Sequence, residues 1–201
     1  AARPGLRAPG AWDGFELAVR AILGQQITVG AARALAGRLA RDFGEALPDD
    51  LAGVIPGLTH AFPSAERLAG ADLSALGMPR ARIAALSSLA AAVVADPLIF
   101  GPRRGLDEAI AKLKSLPGIG EWTAQYIAMR ELREPDAFPA ADIGLMRALG
   151  DADGRRPNPA ELQARAEPWR PWRAYAALHL WASESQPPSR QSETSDDRQA
   201  A

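Results

Sequence analysis

The sequence contains no cysteine. That excludes disulfides, thiolate zinc sites, iron–sulfur clusters and a cysteine nucleophile. Histidine is scarce: His60 and His179 are the only two. Two imidazoles make no metal centre by themselves, and each reads as structural or solvated. Lysine is as rare. Lys112 and Lys114 stand alone among 23 basic residues, so the positive charge is almost all arginine. No apolar run approaches the ~18 residues of a membrane span. The stretch from Ala1 to Trp12 is polar with Pro and Gly, unlike a secretory signal. Sustained period-two alternation is missing as well, so the expected fold is all-α. Net charge is −1. A nucleic-acid binder of this charge must rely on local patches and backbone amides rather than a global field. The segment after Ala182 holds Glu184, Glu193, Asp196 and Asp197 against Arg190 and Arg198. The rest of the chain is therefore slightly basic.

What is present is a 201-residue chain with 47% apolar residues, enough for one core or two small lobes. A helix is expected from Trp12-Asp13-Gly14-Phe15 onward, with Phe15, Val19, Ile22 and Leu23 on one face. Gly24 to Thr28 interrupts it. Thr28 suits the cap of a second helix, with Ala31, Leu35 and Leu39 inward and Gly44 at its end. Residues 45–62 read as loop and short helical turns. Ser64 starts a short helix. Pro79 to Val94 is a strong helix with Ile83, Leu86, Leu89 and Val93 on one side. Leu106 to Ser115 follows, with Ile110 and Leu113 inward. Later helices are expected over Ile143–Leu149, Ala160–Ala166 and Pro171–Trp181, with a disordered tail beyond.

The most informative stretch runs from Leu116 to Asp142. Leu116-Pro117-Gly118-Ile119-Gly120 has the chemistry of a tight turn between helices. Pro117 fixes φ, while Gly118 and Gly120 tolerate positive φ and close backbone approach. A helix should begin near Glu121. Its first N–H groups lack intrahelical acceptors and carry the positive end of the dipole, so the turn is a site for an anion such as a phosphate.

This segment resembles the helix-hairpin-helix of the DNA-repair glycosylase superfamily. Phe138-Pro139 and Asp142 resemble the family's Gly/Pro-rich loop and its essential aspartate. Residues Phe15 to Gln26, Leu76-Gly77-Met78-Pro79 and Pro168 to Ala176 resemble the 3-methyladenine DNA glycosylase II subfamily, so the likeness covers roughly Arg3 to Ala182. Typical bacterial members carry a further N-terminal β-rich domain. This chain does not begin with Met, and a segment of a longer protein is expected.

The resemblance implies a monofunctional DNA glycosylase that hydrolyses the glycosidic bond of alkylated purines in base excision repair. It assigns catalysis to Asp142, which also suits a helix cap. It places Trp122, Tyr126 and Trp181 around the extruded base. A cationic alkylated purine favours electron-rich aromatic faces. Trp169 and Trp172 read as packing. Gln25 and Gln26 would supply the wedge or probe the opposing strand, and Gln26 is polar where some relatives have leucine. The N–H groups of Gly118, Gly120 and Thr123 would bind phosphate. Carbonyls of Lys114, Leu116 and Ile119 would hold a structural Na or K ion; no cofactor is required. Bifunctional relatives carry a nucleophilic lysine where Trp122 stands, so no lyase activity is expected. Glu121 departs from the family by occupying a place often basic.

Two lobes are expected. Residues 14–134, with the hairpin at 106–132, form one; 1–13 and 135–182, with Asp142, form the other, and 183–201 a tail. The implied partner is double-stranded DNA with alkylated bases, bound by a monomer in the bacterial cytoplasm at the nucleoid. The alternative is a non-catalytic lesion- or DNA-binding module on the same fold. Glu121 and the weak net charge favour it. Asp142 beside three aromatics opposes it, because binding alone needs no buried carboxylate.

Overall fold

The computed structural model describes residues 3–52, 54–101 and 105–184. Ten α-helices are found among them: α1 (Gly14–Leu23), α2 (Val29–Phe43), α3 (Asp49–Ala52), α4 (Ala65–Ala69), α5 (Arg80–Ala95), α6 (Leu106–Lys114), α7 (Glu121–Arg130), α8 (Ile143–Ala148), α9 (Pro159–Ala166) and α10 (Arg173–Glu184). Two 3-10 turns, Leu73–Leu76 and Glu167–Trp169, join them. Among the described residues the fold is all-α but for one small antiparallel pair, β1 (Glu45–Ala46) with β2 (His60–Ala61). That pair lies in the region expected to be loop. Gly44 makes it possible: a Cβ there would lie 2.2 Å from the carbonyl oxygens of Ala40 and Ala61.

Local signals set the helix starts. Asp13, Thr28, Ser64 and Asp142 each accept a backbone N–H as N-cap, satisfying a donor the helix leaves open. Asn158 adds a full capping box with Glu161, with Pro159 at the first helical position. The helix thus starts at Pro159, one residue before the expected Ala160.

Helix α1 is more deeply buried than a one-faced helix. Leu17, Ala18 and Ala21 are enclosed along with Phe15, Val19, Ile22 and Leu23. It packs against α2, α5 and α7, so only the edge carrying Glu16 and Arg20 reaches solvent. On α2, Leu39 and Ala36 are buried, while Ala31 is exposed.

Two apolar clusters result. The larger is built on α1, α2, α4, α5, α6 and α7, and takes in Ala137 and Ala174. The smaller holds Phe138, Leu145, Leu162, Ala166 and Ala177. Trp181 packs against both. Trp169 meets Phe138 edge-on and belongs to the smaller cluster. Trp172 differs from expectation: it is 57% exposed and touches Tyr175 edge-on. Helix α10 runs three residues past Trp181; the rest of the expected tail, 185–201, lies outside the described residues. No described helix is long and apolar enough to cross a membrane.

Candidate active site

The hairpin is α6, a turn over 115–120, and α7. Ile119 is buried and anchors the turn in the larger core, while Gly118 and Gly120 stay exposed. Gly118 has φ +79°, and a Cβ there would lie 2.3 Å from that of Ala85. Conformation and space both demand glycine. Gly120 needs no special backbone: its φ is −85°, extended, at the cap position of α7. No side chain caps this helix. Its first N–H groups are therefore left for an outside acceptor, the arrangement that binds phosphate. The Thr123 side chain is buried and accepts from Gln25, so only its backbone N–H can serve an anion.

Glu121 does not present a bare carboxylate. Lys114 donates to it at 2.7 Å, and Gln125 donates at 3.0 Å. The Lys114 bond, then the Gln125 bond, hold its pKa below the usual carboxylate range. This ion pair ties the two arms of the hairpin together.

Asp142 ends the loop after α7 and caps α8. Its Oδ1 accepts from the Leu145 N–H at 3.0 Å and from the Trp181 indole N–H at 2.8 Å. Its Oδ2 accepts from the Trp122 indole N–H at 3.0 Å. None of these donors is charged. They orient the carboxylate without cancelling its charge, as a group meant to face a cation requires. The cap of α8 is thus also the acceptor of both indole N–H groups.

The structure brings the three expected aromatics together. Trp122 and Tyr126 stack with centroids 5.3 Å apart and planes 14° off parallel. Tyr126 and Trp181 lie 6.3 Å apart at 59°. Stacking follows from spacing: positions four apart share a helix face. Arg130, one further turn along α7, places its guanidinium 5.6 Å from the Tyr126 ring.

The turn between α1 and α2 lies beside the hairpin. Gln26 is exposed and adopts φ +57°. The two amide hydrogens of Gln25 go to the Gly118 carbonyl and the Thr123 hydroxyl, each at 3.0 Å. Its side-chain donors are therefore spent inside the protein.

Three supports escaped the sequence. Gln125 accepts from the Phe138 N–H at 2.9 Å and so holds the loop leading to Asp142. Gly144 leaves room for the site: a Cβ there would lie 3.0 Å from Asp142 Oδ1 and 3.1 Å from the Trp181 ring. Asp136 fastens the same loop to α10 through a two-pronged pair with buried Arg173, at 2.7 and 2.9 Å, and through Arg170. Only Gln125 carried a local hint, one turn after Glu121. The other partners are far apart in the chain.

A helix-hairpin-helix set beside a carboxylate that two indoles orient defines a class of DNA-repair fold. The chain belongs to the HhH-GPD superfamily of base excision DNA repair proteins, whose family model matches residues 19–174. It is 42% identical over 191 residues to the DNA-3-methyladenine glycosylase 2 of Escherichia coli, covering 94% of this chain and 64% of that protein. It is 42% identical over 187 residues to a probable bifunctional transcriptional activator/DNA repair enzyme of Mycobacterium tuberculosis, covering 92% of this chain and 36% of that protein. The chain thus spans about one third to two thirds of the length of these relatives. The fold matches that of the Schizosaccharomyces pombe 3-methyladenine DNA glycosylase in complex with abasic DNA. The TM-score is 0.70 at 24% identity, over 92% of this chain and 86% of that one.

Proposed function

We propose that this chain is a monofunctional DNA glycosylase that hydrolyses the N-glycosidic bond of alkylated purines of the 3-methyladenine and 7-methylguanine type. The observation that carries the reading is Asp142, held by two neutral indole donors and a helix N-terminus inside an aromatic cluster. The duplex binds at the hairpin, where N–H groups of Gly118, Gly120 and Thr123 take phosphate oxygens. The damaged nucleotide leaves the stack, and Gln26 enters the gap. The base lies against Trp122, Tyr126 and Trp181. As the bond breaks, the sugar becomes a cation that the Asp142 carboxylate stabilises, and the same group orients or deprotonates the attacking water. An alkylated purine already carries positive charge, so its departure needs little protonation. No lysine stands at the nucleophile position, so the strand stays intact.

Two lobes, 14–134 and 135–182 with 1–13, meet at this site; the two separate apolar clusters support the division, and Trp181, packed against both, supports the meeting. The reaction needs no cofactor. A monovalent cation suits the carbonyls of Lys114, Leu116 and Ile119, which are neutral oxygen donors. Leu116 accepts from the Ile119 N–H at 3.2 Å and keeps its second lone pair. The working form is a monomer at the bacterial nucleoid.

The test is single-turnover release of a methylated purine from duplex DNA, with abasic sites cleaved by hot alkali. Release by wild type, without strand breaks when alkali is omitted, supports the reading. A protein that binds the lesion duplex and releases nothing is a binding module instead.

A further inference from the structure

Gln26 sits in the left-handed region, which non-glycine residues rarely occupy. Such a conformation persists where its surroundings over-determine it, and here they converge on the residue before it. The Gln25 side chain donates to Gly118 and Thr123 of the hairpin. The Gln25 carbonyl accepts from Arg82 at 2.6 Å. That carbonyl belongs to the peptide joining Gln25 to Gln26, so Arg82 orients the peptide plane from which the Gln26 φ departs. Arg82 lies in the first turn of α5, and Ala85, one turn on, abuts Gly118. Three elements therefore meet at Gln25: the α1–α2 turn, the start of α5 and the hairpin turn.

We infer that Gln25 is a positioning residue that bolts the α1–α2 turn to the hairpin, so that Gln26 and the phosphate-binding amides reach DNA as one rigid part. The inference rests on the glycosylase reading above. Its consequence is mechanical. Phosphate grip at the hairpin fixes where Gln26 enters the duplex, and none of the grip is lost to slack between the two. Loosening the bolt should hurt most where extruding the nucleotide is costly. It should hurt least where no base pair has to be broken.

The experiment compares wild type, Gln25→Ala, Gln25→Glu and Arg82→Met on one methylated purine in two duplexes. In the first the lesion is fully paired; in the second it faces an abasic-site analogue. Gln25→Ala is expected to lose about tenfold on the paired lesion, the loss of one or two hydrogen bonds, and about twofold on the unpaired one. Gln25→Glu keeps the shape but cannot donate to Gly118, so it should lose at least as much. Arg82→Met should repeat the pattern, and it carries the test if Gln25→Ala does not fold. Equal losses on both duplexes, or a Gln25→Glu variant that behaves as wild type, overturn the inference. If wild type releases no base at all, the glycosylase reading fails. The bolt is then read from 2-aminopurine fluorescence beside an abasic-site analogue. Brightening by wild type and not by Gln25→Ala supports it; any other result overturns it.

Discussion

Replacing Asp142 with Asn separates the two roles of this side chain. Asn is as good an N-cap as Asp, so a residue that only starts α8 would tolerate the change. The geometry gives more than that. Asp142 accepts three hydrogen bonds: two at Oδ1 and one at Oδ2. Asn offers one acceptor oxygen and one NH2 group. If its oxygen stays with Leu145 and Trp181, the NH2 faces the Trp122 N–H, donor against donor. One indole donor is then left unpaired, a cost of about 1–3 kcal/mol. In a protein of this size that lowers Tm by roughly 2–4 °C per kcal/mol. The rate should fall much further. On the proposed mechanism the charge that stabilises the sugar cation is gone, and the expected loss in single-turnover base release is ~100-fold to 10,000-fold. The lower figure is about 2.7 kcal/mol of transition-state stabilisation. Base release is measured by alkali cleavage, and stability by thermal melting of the same preparations. An Asn variant within about threefold of wild type in rate would refute the catalytic role and leave the cap alone.

Gly144→Ala adds a Cβ about 3 Å from Asp142 Oδ1 and the Trp181 ring. Base release should fall about tenfold while chemical denaturation shows little change, because Ala gains ~1 kcal/mol of helix propensity over Gly; a normal rate would show that Trp181 moves freely. Asp136→Ala leaves the buried Arg173 guanidinium with only a 3.4 Å contact to Glu167. The expected cost is about 3–5 kcal/mol in denaturant unfolding, and a loss under about 1 kcal/mol would mean that Glu167 takes over. Glu131 has its pKa shifted upward, first by desolvation and then by Asp13, with Arg133 opposing. A carboxyl group with a raised folded-state pKa contributes its stability below the unfolded pKa and loses it as pH rises through the folded pKa. Glu131→Gln should therefore melt at or above wild type at neutral pH, with the difference closing as the medium becomes acidic. A gap that widens in acid would contradict the sign.

The residues that sequence alone determined are those whose signal is local. Thr28 and Ser64 start helices because a short oxygen-bearing side chain reaches an N–H three positions on. The alternation of apolar residues along α5 and α6 determined their inward faces, because helical spacing needs no distant partner. Pro117-Gly118-Ile119-Gly120 determined the hairpin, because a Gly-rich turn between two amphipathic runs has few other solutions. The family likeness supplied Asp142 and the aromatic set as candidates. Only the tertiary structure decided how they meet. Trp181 reaches Asp142 across 39 positions, Asp136 reaches Arg173 across 37, and Gln25 reaches Thr123 across 98. The β1–β2 pair likewise depends on Gly44 lying against Ala61. These contacts form when packed helices bring together side chains that no spacing rule connects. Each is held by the geometry of the core rather than by its neighbours in the chain.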